Sequence, residues 1–300
     1  MSEDNLIDIE KFLVKPGKKV SLKNYDTEYT GNKLNKQKGE DLLALSREKL
    51  SDLQDELYAY NKYSVLIIFQ AMDTAGKDGA VKHVMSGLNP TGVRVVSFKV
   101  PSTTELEHDY FWRHYRALPP RGDIGIFNRS HYENVLVTRV HPEYILKENL
   151  PGINSLQDID QKFWDKRYEQ INRFEKNLYQ NGTVILKFFL HLSKSEQRKR
   201  FIKRIDNPKK NWKFSVADAN ERKFWDQYQT AYEDALSNTS EDYAPWFIIP
   251  ADNKWFTRLA IANIIYRQFE ALHLTYPEVS SEQKEELLKV KKELLDEDKK

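Results

Sequence analysis

SVLIIFQAMDTAGKDG, Ser64 to Gly79, is the stretch whose reading decides the fold. Val65 to Phe69 is an apolar run rich in β-branched residues, the composition of a strand buried on both faces. The small-residue segment Ala71-Met72-Asp73-Thr74-Ala75-Gly76-Lys77 follows, and a helix is expected from Asp78 to about Met85. Strand, small loop with a Gly-Lys pair, then helix is the setting of a phosphate-binding P-loop. Backbone amides of Thr74, Ala75, Gly76, Asp78 and Gly79 would then face phosphate oxygens, and Lys77 would add a full positive charge. The match to G-x-x-x-x-G-K-[ST] is imperfect at both ends. Ala71 stands for the first glycine, and Asp78 stands for the hydroxyl residue that usually ligates Mg²⁺. Asp73, inside the loop, can supply the metal ligand that the missing hydroxyl cannot. The competing reading is a βα turn with a capping Asp and an exposed Lys.

Composition narrows the setting. The 300 residues are 40% hydrophobic, enough for one large α/β domain or two small ones. With no cysteine there are no disulfides, thiolate metal sites or cysteine nucleophiles. The start, MSEDNLIDIEKF, lacks an apolar signal core, and no apolar run approaches the roughly 18 residues of a membrane helix. A cytoplasmic protein with no membrane partner is expected. The net charge of +2 means that attraction for polyanions must come from local clustering.

The chain reads as a single domain over residues 1–300. Residues 1–38 form a basic arm, with Lys15, Lys18, Lys19, Lys23, Lys33, Lys36 and Lys38, read mostly as solvated. An amphipathic helix is expected over Gly39–Tyr60. Further strands are expected at Val93–Phe98, Ile124–Phe127, Val184–Leu190 and Phe247–Ile249. Helical patterns fall at Thr104–Ala117, Tyr132–Val140, Asp160–Asn181, Ser195–Ile205 and Asp218–Leu236, with another helix in 256–276. Residues 280–300 form a charged tail. Alternating strands and helices predict a mostly parallel, five-stranded sheet in a three-layer α/β fold, with ligands at the strands' C-terminal edge.

Two more constellations fall at that edge. Asn128-Arg129-Ser130-His131-Tyr132-Glu133 ends an apolar strand where a Walker B acid would sit. Asn128 can contact a metal directly or through water, Glu133 lies one helical turn further on, and Arg129 can clamp phosphate. Taken alone, this segment also reads as an Asn-capped helix with an exposed Arg. Residues 198–213, RKRFIKRIDNPKKNWK, carry eight basic residues against one acid. Arg200 and Arg204 are four apart and share a helix face; Pro208 breaks that helix before Lys210 and Lys213. A solvated basic helix, an RNA-contacting segment and a helical lid over 195–223 that carries arginines to phosphates all fit this pattern. The seven histidines show no metal-ligand spacing. Arg113 and Arg116, after the second strand, are placed to face an acceptor.

Together, QAMDTAGKDG (70–79), FNRSHYENVLV (127–137), RFIKRIDNPKKNWKFS (200–215) and APWFIIPADNKWFTR (244–258) resemble the family-2 polyphosphate kinases, over about Leu42 to Tyr276. The resemblance implies a P-loop kinase fold with a helical lid. It also implies reversible transfer of a terminal phosphoryl group between inorganic polyphosphate and a nucleotide, with Mg²⁺ or substituting Mn²⁺. In that family a loop Asp, here Asp73, replaces the hydroxyl ligand, and Asp or Gly follows the Lys. The FNRSHYE form is similar to the subgroup acting on nucleoside mono- and diphosphates, which implies AMP and ADP as acceptors, with guanine nucleotides as further candidates. The implied roles are metal binding for Asp73, Asn128 and Glu133, and phosphoryl-group contact for Lys77, Arg129 and Arg204. Arg113, Arg200, Lys210 and Lys213 would bind substrate, no nucleic acid is involved, and a homo-oligomer (dimer or tetramer) is expected. The alternatives are an ATP-dependent nucleoside or nucleotide kinase and a non-catalytic nucleotide or RNA binder.

Overall fold

Neighbouring residues of the first apolar run enter two different cores, and that alternation sets the architecture. Val65, Ile67 and Phe69 join one buried cluster, while Leu66 and Ile68 join another on the opposite side, as the two-residue period of a strand requires. The computed structural model of the protein describes residues 7–31 and 34–297, and of Lys213 the backbone alone.

The elements in chain order are β1 (Leu13–Val14), α1 (Lys36–Tyr60), β2 (Ser64–Ala71), α2 (Lys77–Val84) and β3 (Val93–Ser97). Then come α3 (Thr103–Leu106), α4 (Trp112–Tyr115), β4 (Ile124–Asn128), α5 (Glu133–Val140), α6 (Gln161–Gln180) and β5 (Thr183–His191). The chain continues through α7 (Lys194–Ile205), α8 (Val216–Glu221), α9 (Trp225–Thr239), β6 (Trp246–Pro250), α10 (Lys254–Glu270) and α11 (Ser281–Glu297). The sheet order is β1-β6-β5-β2-β4-β3. All neighbours are parallel except β1, which runs antiparallel to β6. Helices α1, α2 and α10 bury their apolar faces on one side of the sheet, and α5, α6 and α9 on the other. Both faces of β2 are therefore dry, and every residue from Ser64 to Ala71 is buried.

Three expectations need correction. The five expected strands are present and parallel, but a sixth comes from the basic arm. There Phe12, Val14, Val20 and Leu22 are buried, and the amides of Val20 and Leu22 donate to Ser237 Oγ and Glu233 Oε1 of α9. Lys15, Lys18, Lys19 and Lys23 are exposed as read, so the arm alternates between packed apolar residues and solvated lysines. Lys33 lies outside the described residues. The Thr104–Ala117 helix is two short ones, because Asp109 Oδ1 accepts the Phe111 amide in a turn between them. The Asp218–Leu236 helix likewise divides into α8 and α9, joined by a tight turn at Arg222–Phe224.

Candidate active site

The C-terminal ends of β2, β4, β5 and β6 converge on one edge, and the loop after β2 lies at its centre. Ala71 needs no glycine, because it is the last extended residue of β2. The turn comes later, at Thr74 (φ 64°) and Gly76 (φ 109°). Only Gly76 needs to be glycine for this backbone; Thr74 is β-branched and strained in the left-handed region. Helix α2 starts at Lys77 and presents N-terminal amides without intrahelical acceptors. These amides and the positive end of the helix favour an anion. Thr74 Oγ1 is buried without a hydrogen-bond partner, so it too has a hydrogen to offer a phosphate oxygen.

The loop is held from behind by α7. Arg200 donates from Nη1 to the carbonyls of Thr74 (3.1 Å) and Ala75 (2.8 Å). Its Nη2 donates to the carbonyls of Ala251 (2.7 Å) and Asp252 (3.0 Å), and its Nε to Glu196 Oε1 (2.8 Å). Gln197 Nε2 adds a bond to the Asp73 carbonyl at 3.2 Å. Arg200, expected to bind substrate, lines the cleft with its guanidinium already bonded to backbone carbonyls and Glu196. Its guanidinium is engaged on all sides and clamps the strained loop. Arg204, one turn along α7, is half-buried, lines the cleft and makes no hydrogen bond or ion pair among the described residues.

Across the cleft floor, Arg129 bridges two carboxylates: Nη2 to Asp73 Oδ1 at 3.1 Å and Nη1 to Glu133 Oε2 at 3.2 Å. Arg129 itself has φ 65°, and its amide donates to the Phe69 carbonyl of β2. Asn128 Nδ2 donates to Asp78 Oδ1 at 2.6 Å, tying the end of β4 to the start of α2. Lys77 Nζ turns back to the Ala71 carbonyl at 2.8 Å. Burial, with the nearby Arg129 charge, pushes the Lys77 ammonium down to about 8, against the opposing pull of Asp73, Glu133 and Asp78.

These residues line a cleft of about 1270 Å³ whose lining is mixed in chemistry. Basic side chains in the lining include Lys203, Arg204, Lys210, Lys254 and Arg258. The ammonium of Lys254 is held below its usual range by burial and by Arg200, and His83 by burial and by Arg258. Crowded like charges of this kind suit a polyanion. Apolar side chains in the lining include Phe98, Val100, Pro101, Leu106, Val137 and Tyr144, the kind of surface that small-molecule sites offer. Arg113 lines the cleft, and its guanidinium donates to the Lys99 carbonyl (2.9 Å), pairs with Glu105 and lies over Phe98. It also braces the Lys99 and Glu105 segment that lines the cleft. Of the remaining expected residues, Thr74, Ala75, Gly76, Asp78, Gly79 and Lys210 line the cleft, while the Lys213 side chain lies outside the described residues. Lys254 and Arg258 were missed. Their signal was there: they stand four apart on a helix that starts just past an apolar strand, inside the last of the four motif segments.

The family model for polyphosphate kinase 2 matches residues 33–276. The chain belongs to the polyphosphate kinase 2 family. It is 50% identical over 289 residues to the ADP-polyphosphate phosphotransferase of Rhodopseudomonas palustris, covering 96% of this chain and 99% of that protein. It is 44% identical over 271 residues to the AMP/ADP-polyphosphate phosphotransferase of Meiothermus ruber, covering 90% and 96%. The solved structure of polyphosphate kinase 2 from Arthrobacter aurescens TC1 matches with a TM-score of 0.83 at 37% identity, over 93% of this chain and 98% of that one. The α/β fold with its mostly parallel sheet is therefore that of a P-loop kinase. Among the described residues, no helix is long and apolar enough to cross a membrane.

Proposed function

We propose that the protein is a polyphosphate-dependent nucleotide kinase that moves the terminal phosphoryl group of inorganic polyphosphate to AMP and ADP, and back. The observation that supports this reading is one cleft around the β2 loop and Lys77 that is lined both by clustered basic side chains and by apolar ones. A nucleotide with its base against the apolar residues would bring its terminal phosphate oxygen toward Lys77. That oxygen attacks the terminal phosphorus of the chain in line, the bridging P–O bond breaks, and the shortened polyphosphate keeps the electron pair. Such transfers need positioning and charge stabilisation more than covalent chemistry. The amides of α2 and the loop hold phosphoryl oxygens, Lys77 and Arg129 stabilise charge at the transfer point, and Arg204 closes from α7. Lys203, Lys254 and Arg258 line the path of the chain.

Asp73 and Glu133 each hold Arg129 with one carboxylate oxygen. Among the described residues no group of three or more His, Cys, Asp or Glu could hold a metal alone. An oxygen-only, incomplete donor set fits Mg²⁺ (or Mn²⁺), which takes its remaining ligands from phosphates and water. Asp73, Glu133 and the Asn128 side-chain oxygen would hold it, and bound there it would supply charge stabilisation for the phosphoryl groups. In this reading the enzyme works in the cytoplasm, on adenine and also guanine nucleotides, as a homo-oligomer. The test is incubation with AMP, Mg²⁺ and polyphosphate without ATP. ADP and ATP are the expected products; no turnover, with an oligonucleotide mobility shift instead, overturns the reading in favour of an RNA binder.

A further inference from the structure

A buried ion pair that no step above uses lies directly behind the Arg129–Glu133 turn. Lys187, in the middle of β5, and Glu175, on α6, are both fully buried. The ammonium's three hydrogens are all placed: Lys187 Nζ donates to Glu175 Oε2 (2.5 Å), the Thr239 carbonyl (2.7 Å) and the Tyr132 hydroxyl (2.9 Å). Tyr132 in turn donates to Glu175 Oε1 (2.9 Å), which also accepts from His131 Nε2 (3.2 Å). His131 Nδ1 has no partner, and burial holds the ring below its usual range, so the imidazole is neutral with its hydrogen on Nε2. The network is one cation, one anion and two neutral donors, closed on itself.

A pair like this is a poor device for stability alone, since buried ion pairs can often be replaced by apolar residues of similar volume without loss. What it touches is more informative. His131 and Tyr132 lie between Arg129 and Glu133, and Arg129 has a left-handed backbone that its surroundings must enforce. The turn's other ties to β2 and the loop after it are the Arg129 amide to the Phe69 carbonyl, Ser130 Oγ accepting from Gln70 Nε2, and the Arg129–Asp73 pair. Lys187 is paired in register with Trp246, whose indole packs edge-on against Tyr132 at 4.7 Å. The turn is therefore anchored to the two strands on the far side of β2 from β4.

We propose that Glu175 and Lys187 are positioning residues that set the height and angle of the Arg129–Glu133 turn against the loop after β2, through the hydrogen bonds of His131 and Tyr132. This rests on the phosphoryl-transfer reading. Two double variants separate the hydrogen bonds from the charge. Glu175→Gln with Lys187→Met removes both charges but keeps an acceptor for Tyr132 and His131; Glu175→Leu with Lys187→Met removes the acceptor as well. The proteins are compared by thermal melting and by polyphosphate-driven phosphorylation of ADP, with kcat and the polyphosphate KM separated. The Gln/Met variant is expected to stay within about threefold of the wild-type kcat. The Leu/Met variant is expected to fold, keep its polyphosphate KM and lose about 10- to 100-fold in kcat, the scale of a small misplacement of reacting groups. A folded Leu/Met variant with wild-type kcat overturns the proposal. Where either double variant does not fold, Tyr132→Phe decides it: kcat lowered about threefold or more at constant KM supports the proposal, and unchanged kcat overturns it. Wild-type turnover in the same assay separates these outcomes from failure of the functional reading itself.

Discussion

Arg200 and Arg204 are one helical turn apart on α7, in the same basic run, and they do opposite things. Arg200 is 8% exposed and its guanidinium reaches four backbone carbonyls and Glu196. Arg204 lines the cleft without a hydrogen bond or ion pair among the described residues. The contrast extends to their surroundings. Behind Arg200 lies a dry seat of strand ends and loop backbone. Around and beyond Arg204 the chain presents Ile202, Ile205, Trp212 and Val216 to solvent. In the proposed mechanism the loop after β2 is a seat that must not move and the end of α7 belongs to a lid that must, so that α7 serves both. Its first turns hold the strained Thr74 backbone, so any swing of its last turn works against a fixed root.

The largest effect expected lies in the seat. Asp73→Asn is nearly isosteric and leaves the fold intact. It should lower kcat by about 10³- to 10⁴-fold at fixed free Mg²⁺, equivalent to the several kcal/mol a metal's charge stabilisation supplies. Turnover close to wild type at limiting Mg²⁺ would remove Asp73 from the metal site. The seat–lid contrast is then tested directly on the two arginines. Arg204→Ala should cost about 10³-fold in kcat, as arginines on transferring phosphoryl groups do, with an unchanged melting temperature. Arg200→Ala should instead destabilise the protein by about 3 kcal/mol, because buried carbonyls lose their donors. If the two variants behave alike in melting, the distinction between seat and lid fails.

A smaller effect is expected from pH. Lys77, held at about 8 in the free site, is charged below that pH and neutral above it. The kcat/KM for polyphosphate should therefore be flat below pH 8 and fall about tenfold per unit above it, since kcat/KM reports the free enzyme. A profile flat to pH 9.5 would mean that Lys77 is not the group polyphosphate meets. The smallest effect is a change of preference. AMP and ADP must bring different oxygens to one transfer point, and Glu133 holds the side of Arg129 opposite Asp73. Glu133→Asn should lower AMP phosphorylation about tenfold more than ADP phosphorylation, a difference of about 1.4 kcal/mol in transition-state binding. Equal losses in kcat/KM for the two acceptors would make Glu133 a general part of the seat.

Much of this was readable in the chain because it is local. A dry apolar run followed by a small-residue loop, Gly76 and Lys77 defines its own strand, turn and helix start, whatever else the chain does. The same holds for the strand-end cluster at Asn128–Glu133 and for the alternation that gives a parallel sheet with one functional edge. What a side chain does at that edge is another matter, because it depends on partners far away in sequence. Nothing in RKRFIKR separates Arg200 from Arg204; the Thr74, Ala75 and Ala251 carbonyls do, and they arrive from other strands. Phe12 and Val14 look like interruptions in a lysine-rich arm until β6 offers an open edge to pair with. Lys187 and Glu175 read as an ordinary strand lysine and helix glutamate, and only the closing of α6 over β5 joins them beneath Tyr132. The sequence by itself determined the β2 loop, the parallel sheet and the edge where the chemistry lies, since backbone propensity and hydrophobic period act over a few residues. Which charges reach the substrate and which hold the scaffold was decided by tertiary structure alone, because burial and the pairing of polar groups exist only once distant segments meet.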